Sequence, residues 1–482
     1  MVFGAGVTGQ AVASVLSGEG LDVVVVDDVV GVELSLPTGE QRTTVDSAGG
    51  AYATRANAAG DVEVISSTSS SASIDSASPG VVRVVRAPSA EQLRHLIGRA
   101  SQVVVSPGVP PSHLVHKLAG DKLISEITLA RSRLKVPLVA ITGTNGKTTV
   151  VTLVTRMLAE SGMHVQAAGN IGTPLISVDS SLLDVVVAEL SSFQLATTSN
   201  LAPDVGAWLN FQPDHLDWHK DIDDYRLSKA RMWEGIGAES VVVANACDKV
   251  VMEEARRVES TGACLVTWGG THGMWHRKGD MLMSPDGEEL LSAHSLYRSM
   301  PHDIDNALAA MAIATSAGAS IEGCVKGLLQ FRGLPHRVEL IADYNGVKYI
   351  DDSKSTTPSS TAVAIAGIGE IYGQGRIVLI AGGRSKGLDF GILRDYSDFL
   401  KSVVAIGESS REVESAISDM CPVTLASSMR DAVVVATRLA GNSGVVLLSP
   451  ACSSYDWYES YVQRGDDFRR CVEEMMRNGG TL

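Results

Sequence analysis

The stretch Ile141-Thr142-Gly143-Thr144-Asn145-Gly146-Lys147-Thr148-Thr149-Val150 carries the densest chemistry in the chain. Glycines let backbone N–H groups turn inward onto anionic oxygens, while a lysine and hydroxyls supply positive charge and a ligand for Mg²⁺. The spacing departs from the common phosphate loop, Gly-x4-Gly-Lys-Ser/Thr. The residue five before Gly146 is Ile141, and the nearest upstream glycine is Gly143. The context still fits, because the apolar run LVAIT precedes the loop and the helix-like VVTLVTRMLAESG follows it. An N-capping threonine at an ordinary turn would leave Gly-Lys-Thr-Thr unexplained. Further on, Glu189 ends an apolar run, and His215 follows another, flanked by Asp214 and Asp217. An acid or imidazole at such a strand end is placed to ligate a metal or a substrate oxygen. His113, His116, His164 and His294 sit in no such constellation and are expected on the surface.

These groups need elements that bring them to one edge of a sheet. The opening MVFGAGVTGQAVASVLSGEGLDVVVVDD reads as a strand end, a glycine turn, a helix and an apolar strand closing on Asp27 and Asp28. Its first strand has only Met1 to Phe3 before the turn, so either the start lies upstream or this edge is abbreviated. Residues 38–80 change character, and Ser67 to Gly80 is Ser-rich and nearly without large apolar side chains. Such a segment cannot bury enough surface to offset its ordering entropy, which predicts a mobile insertion or surface loop. A second block begins at LVAIT and runs through DVVVAELSSFQL, VGAWLNFQPDHLDWH and SVVVANACD to a helix near IDNALAAMAIATSAG. A third follows GLPHRVE, with KYIDDSKSTTPSST, RIVLIAGGRSKGLDF, SVVAIGE and GVVLLSPACSSYDWYESY. Each apolar run ends in polar residues, as parallel strands do where their carboxyl ends build a site. Three α/β domains are expected, at 1–130, 131–333 and 334–482.

Whole-chain properties narrow the classes. A length of 482 residues exceeds one hydrophobic core. Apolar residues at 45% with aromatics at 5% suit buried parallel strands packed by small-residue helices. The 40 Lys+Arg against 55 Asp+Glu give a net charge of −15, which repels a nucleic acid over most of the surface. Six scattered cysteines form no CxxC pair, so neither a disulfide framework nor a zinc site is indicated. The first basic residue is Arg42, too late for a secretory signal, and no apolar run approaches the roughly 18 residues of a membrane span. A cytoplasmic protein with no membrane partner is expected.

GTNGKTT resembles the ATP loop of the Mur ligases of bacterial cell-wall synthesis and of folylpolyglutamate synthases. AELSSFQL, FQPDHLDWH, YRLSKARMWE, DIDNALAA, GLPHRVE, IDDSKSTTPSST, AGGRSKGLDF and LLSPACSSYDWYESYVQRGDDFR follow in the family's order. The pattern is most similar to the branch that joins D-glutamate to UDP-N-acetylmuramoyl-L-alanine, and it covers the chain apart from 38–80. The resemblance implies a Rossmann-like first domain, a central ATP-binding parallel-sheet domain and a Rossmann-like third domain. It implies ATP bound by Gly143, Thr144, Asn145, Gly146, Lys147, Thr148, Thr149, Asn306, Arg337 and Asp352. Two Mg²⁺ ions are implied, held by Thr148, Glu189, His215 and a Lys229 carbamylated by CO₂. The UDP substrate falls to Val7, Thr8, Asp27, Ser106, Gly108 and Asn170, although the family often has a basic residue where this chain reads Asp28-Val29-Val30. D-glutamate falls to Lys354, Thr356, Lys386, Ser454 and Tyr461. Asp303 stands where the family often has an amide. The implied catalytic set is Lys147, Glu189, His215, Lys229 and Lys354, with His215 also a candidate base for the amine. A monomer whose third domain closes as a rigid body is expected.

Three alternatives stay open at this level. One is a ligase of the same superfamily acting on another amino acid or on folates. A second is a non-catalytic nucleotide-binding regulator. The third is an NAD(P) oxidoreductase using Gly4-Ala5-Gly6-Val7-Thr8-Gly9, a reading that leaves Lys147 unexplained.

Overall fold

The structure is a computed structural model, and it describes residues 1–28, 42–45, 51–56, 62–65, 82–216, 218–385 and 387–477. These fall into two compact units, Met1–Leu290 with Leu308–Leu328, and Leu291–Ala307 with Leu329–Leu482.

The first unit holds two large sheets, besides the small antiparallel pair His276–Lys278 and Met281–Met283. In one, Val82–Arg86, Val23–Asp27, Val2–Phe3, Val103–Val105 and Leu123–Ile124 lie side by side in parallel. Arg42–Val45 adds in parallel beside Val82–Arg86, and Ala51–Ala56 and Val62–Ile65 continue the sheet antiparallel. The loop expected over 38–80 is therefore corrected in its first half. The free edge of Val82–Arg86 offers unpaired backbone groups, and an extended segment satisfies them whatever its composition. The Ser-rich run Ser67–Gly80 lies outside the described residues.

The central sheet is wholly parallel, in the order Val165–Gly169, Val185–Glu189, Leu138–Thr142, Val205–Trp208, Val241–Asn245 and Cys264–Trp268. Leu138–Thr142 and Val185–Glu189 are buried at every position because helices cover both faces, which is why they read as unbroken apolar runs. The helix Lys147–Glu160 buries Val150, Val151, Leu153, Val154, Met157 and Leu158. Strand order reverses around Leu138–Thr142, and a loop at such a switch point borders a crevice. Val2, Val25 and Val104 of the first sheet share one core with Ile127, Leu138, Ala140 and Val186.

The second unit carries the sheet Glu339–Tyr344, Val347–Asp351, Val445–Leu448, Ile377–Gly382, Leu400–Ile406 and Val423–Leu425. Ile377, Leu379 and Ala381 face one core cluster while Val378 and Ile380 face another, so this strand too is covered on both sides. Only the Glu339–Tyr344 edge runs antiparallel. Asn345 and Gly346, at φ 52 and 79, make the tight two-residue turn that Asn-Gly favours. No helix among the described residues is long and apolar enough to cross a membrane, and no disulfide joins the cysteines.

Candidate functional site

The Gly143–Gly146 loop is gripped from a neighbouring strand end. Thr144 and Asn145 donate their N–H groups to Asn210 Oδ1 at 3.0 and 2.8 Å, and Asn210 Nδ2 donates to the Asn145 carbonyl at 3.1 Å. The buried Thr144 hydroxyl lies 3.1 Å from the Tyr225 hydroxyl and donates to the Gln212 carbonyl at 3.2 Å. A side chain at 143 would press on Leu209 Cβ at 3.0 Å, and Gly146 turns into the helix at φ 82. Lys147 Nζ folds back onto the Gly143 and Thr144 carbonyls at 2.8 and 2.9 Å. Thr149 is buried and Thr148 half-buried.

Around this loop the structure collects the other expected groups of the first unit. Glu189 is 2% exposed. Its Oε1 accepts Asn170 Nδ2–H at 2.9 Å, while the buried Oε2 has no hydrogen-bond partner among the described residues. A buried carboxylate oxygen without a donor is costly, and a cation answers it. The Lys229 ammonium is wholly buried, donates to the Gly143 carbonyl at 2.8 Å and lies 4.8 Å over the Tyr225 ring. Burial first, and then the Lys147 charge, holds its pKa well below the lysine range, against the pull of Asp214 and Glu189. Burial thus shifts the balance toward the neutral amine, the nucleophilic form. His215 adopts φ 56, unusual outside glycine, with its N–H on Asp214 Oδ1 at 2.8 Å and its ring edge-on to Phe193 at 4.6 Å. Asp217 lies outside the described residues.

Several supporting residues escaped the sequence reading. Buried His219 lies between Asp224 Oδ2 at 2.9 Å and Ser192 Oγ at 3.0 Å, steadying the turn after Glu189. Buried Glu126 accepts the Ile176 N–H at 2.7 Å, behind the loop that carries Asn170. Burial pushes its carboxyl up to about 7. The signal for Asn210 was present, a polar residue just past an apolar strand. Ile176, the partner of Glu126, and Ser192, one of the two partners of His219, lie 50 and 27 residues along the chain, too far for spacing to reveal.

At the carboxyl ends of the first sheet, Asp27 Oδ2 accepts the Ala5 N–H at 2.6 Å and Ser106 Oγ donates to the Gly4 carbonyl at 3.0 Å. Val7 and Gly108 are exposed and Thr8 half-buried there. His113 and His116 correct their expected surface placement, because both are half-buried. His113 Nε2 lies 2.9 Å from Asp28 Oδ2 and its ring 4.8 Å from Phe3, while His116 Nε2 lies 3.3 Å from the Val109 carbonyl. His164 and His294 are exposed as expected.

In the second unit Lys354 Nζ lies 3.9 Å over the Tyr461 ring, so two residues expected at one ligand do meet. Thr356 is half-buried, Ser454 buried, Asn306 half-buried on Pro301–Ser316, and Lys386 outside the described residues. Asp352 is buried, accepting Ser449 Oγ–H at 2.7 Å and the Val338 N–H at 3.2 Å, and burial raises its carboxyl to about 6. Buried His336 Nδ1 lies 2.7 Å from Asp351 Oδ2. Buried Arg464 ties Ser353 to the Cys452 carbonyl with bonds of 2.9 to 3.1 Å.

Fold and site together define an α/β protein with lysines and an under-coordinated acid gathered at the carboxyl ends of a parallel sheet. Residues 141–314 match the Mur ligase middle domain, and residues 336–452 match the Mur ligase, glutamate ligase domain. The UDP-N-acetylmuramoylalanine--D-glutamate ligase of Nitrosococcus oceani is 39% identical over 391 residues, 79% of this chain and 84% of that one. The protein of the same name from Legionella pneumophila is 39% identical over 389 residues, 78% and 86% of the two chains. A pseudomurein peptide ligase type C from Methanothermus fervidus shares the fold, with TM-score 0.60 at 18% identity over 98% of this chain and 99% of that one. The chain belongs to the Mur ligase family.

Proposed function

We propose that this chain joins D-glutamate to UDP-N-acetylmuramoyl-L-alanine at the expense of ATP, in the synthesis of peptidoglycan precursors. The convergence of Lys147, buried Lys229 and the unpartnered Glu189 Oε2 at one sheet edge carries the reading. Relatives that bear this activity in their names support it.

The γ-phosphoryl of ATP passes to the L-alanyl carboxylate, breaking the bond to ADP and forming an acyl phosphate. The D-glutamate amine then attacks the acyl carbon, inorganic phosphate leaves with the bonding electrons, and the amine proton passes to solvent or a base. Little covalent work falls to the protein, so the rate rests on positioning and on cations facing the developing charge. Lys147, on the loop, neutralises phosphate oxygens. Asn210 pins the loop by accepting the Thr144 and Asn145 N–H groups, and Asn170 holds Glu189 in one rotamer.

The donors suit Mg²⁺, a hard cation that takes oxygen ligands. Thr148 and Glu189 would hold one ion, and His215 with carbamylated Lys229 a second. Bound Mg²⁺ would shield phosphate charge from the incoming carboxylate. The lowered Lys229 pKa supports carbamylation, since only the neutral amine adds CO₂. Asn306, Arg337 and Asp352 are assigned to the nucleotide, and Lys354, Thr356, Lys386, Ser454 and Tyr461 to D-glutamate. Val7, Thr8, Asp27, Ser106, Gly108 and Asn170 are assigned to the UDP substrate. Domains at 1–130, 131–333 and 334–482 accord with the two family matches, which fall inside the second and third ranges. The deciding experiment is ADP release with both substrates present, D-glutamate being compared with L-glutamate. Release that needs a different nucleotide precursor or amino acid overturns the assignment.

A further inference from the structure

Arg298 makes four hydrogen bonds with one guanidinium, all within the second unit. Nε and Nη2 grip both carboxylate oxygens of Asp303 at 2.6 Å, and Nη1 donates to the Arg337 and Val338 carbonyls at 2.8 Å each. Side-chain exposure is 21% for Arg298 and 11% for Asp303, so the pair is shielded enough for its bidentate geometry to matter. Asp303 is fixed in turn, because Oδ2 also accepts the Met300 N–H at 3.3 Å at the start of Pro301–Ser316.

The backbone that Arg298 holds is strained. His336 and Val338 have φ 60 and 47, on either side of Arg337. A β-branched residue rarely adopts that conformation, which persists only where the surroundings over-determine it. The turn is held on its N–H side by Asp352 Oδ1 on Val338 and Glu339 Oε2 on His336, at 3.2 and 3.1 Å. On its carbonyl side, Lys354 N–H donates to His336 at 3.1 Å and Arg298 to the next two residues. The direction in which Arg337 leaves the chain depends on this turn, and Arg298 is its link to the helix that bears Asn306.

We propose that Arg298, anchored by Asp303, is a positioning residue that fixes Arg337 for the ATP phosphates. The inference rests on the ligase reading, in which Arg337 serves the nucleotide. A lysine keeps the charge but loses the planar fork that reaches Asp303 and two carbonyls together. The test is calorimetric titration of the full chain with Mg·ATP, for the unaltered protein, R298K, R337A and the double variant. R298K is expected to weaken ATP about tenfold, leaving the UDP-precursor affinity and the melting temperature near their original values. In the R337A background, R298K should add less than about twofold, since one residue acts through the other. Effects that multiply, or an R298K variant that binds ATP like the unaltered chain, overturn the inference alone. An unaltered chain that binds no ATP overturns the ligase reading with it. Should R298K not fold, D303N takes its place in the same cycle, with a smaller loss of ATP affinity expected and none overturning the inference.

Discussion

Replacing Gly169 with alanine displaces the Glu189 carboxylate without touching its chemistry. Gly169 ends the strand Val165–Gly169 at φ 100, directly opposite Glu189. An added Cβ would stand 2.4 Å from the Glu189 carbonyl oxygen and 3.3 Å from its carbon, whereas ordinary contact begins at 3.4 Å. The strands must therefore part locally by about 1 Å, because the opposing atoms are backbone and have no rotamer to escape into. Glu189 is held by Asn170 through both its carbonyl at 2.8 Å and its Oε1 at 2.9 Å, so both holds move together. A misplacement of about 1 Å near reacting groups costs on the order of 10²-fold in rate, or about 2.7 kcal/mol. The assay is ADP release at saturating ATP, UDP-precursor and D-glutamate, repeated over a Mg²⁺ series. Gly162→Ala is the control, with a similar φ of 88 but nothing within 4 Å of the added carbon. It should cost stability and leave kcat within about twofold, since backbone strain is its only burden. Equal losses in the two variants, or a G169A protein with full kcat, would refute the reasoning.

Other outcomes follow from the same contacts. Lys147→Ala should lower kcat on the order of 10²-fold or more with the fold intact in circular dichroism, since in the proposed ligase it deletes the cation that neutralises phosphate oxygens. Retained turnover would return Lys147 to a loop-stapling role. The Glu126 carboxyl is raised in the fold from 4.5 to about 7, so its stabilising contribution is present below pH 4.5 and lost as pH rises through about 7. At about 1.4 kcal/mol per pH unit, the stability difference between Glu126→Gln and the unaltered chain should change by ~3 kcal/mol between those limits, in favour of the glutamine at high pH. Parallel melting curves against pH would refute that. The hydrogen bond that the His336 ring donates to Asp351 raises the His336 pKa above 6.5, so that pair stabilises below the ordinary histidine range and fades as pH rises through the folded value. Asp351→Asn should bring the His336 ring titration down in NMR, and an unchanged midpoint would assign the shift elsewhere.

Much of the architecture was legible because its causes are local. LVAIT, DVVVAE and RIVLIAGG are short apolar runs closed by glycine or polar residues, and strands covered on both faces have no other way to look. The strands Arg42–Val45, Ala51–Ala56 and Val62–Ile65 were not legible, since what recruits them is the open edge of Val82–Arg86 rather than a pattern of their own. Asp352 illustrates the same limit, because a motif position marks the residue while only packing turns its carboxylate onto Ser449 and Val338.

The sequence by itself determined the strands that show as apolar runs, such as LVAIT and DVVVAE, the glycine and lysine chemistry of the Gly143–Thr149 loop, and the acid, imidazole and lysine positions that strand ends could present. Periodicity and turn chemistry act over a few residues, so they survive in a one-dimensional reading. Tertiary structure alone decided the partners: Asn210 closing on Asn145 from 65 residues away, Lys229 reaching the Gly143 carbonyl across 86, and Arg298 bracing Arg337 across 39. Such contacts depend on strand order and on which buried donor finds which acceptor, and the cost of burying an unpaired polar group selects them only once the chain has closed.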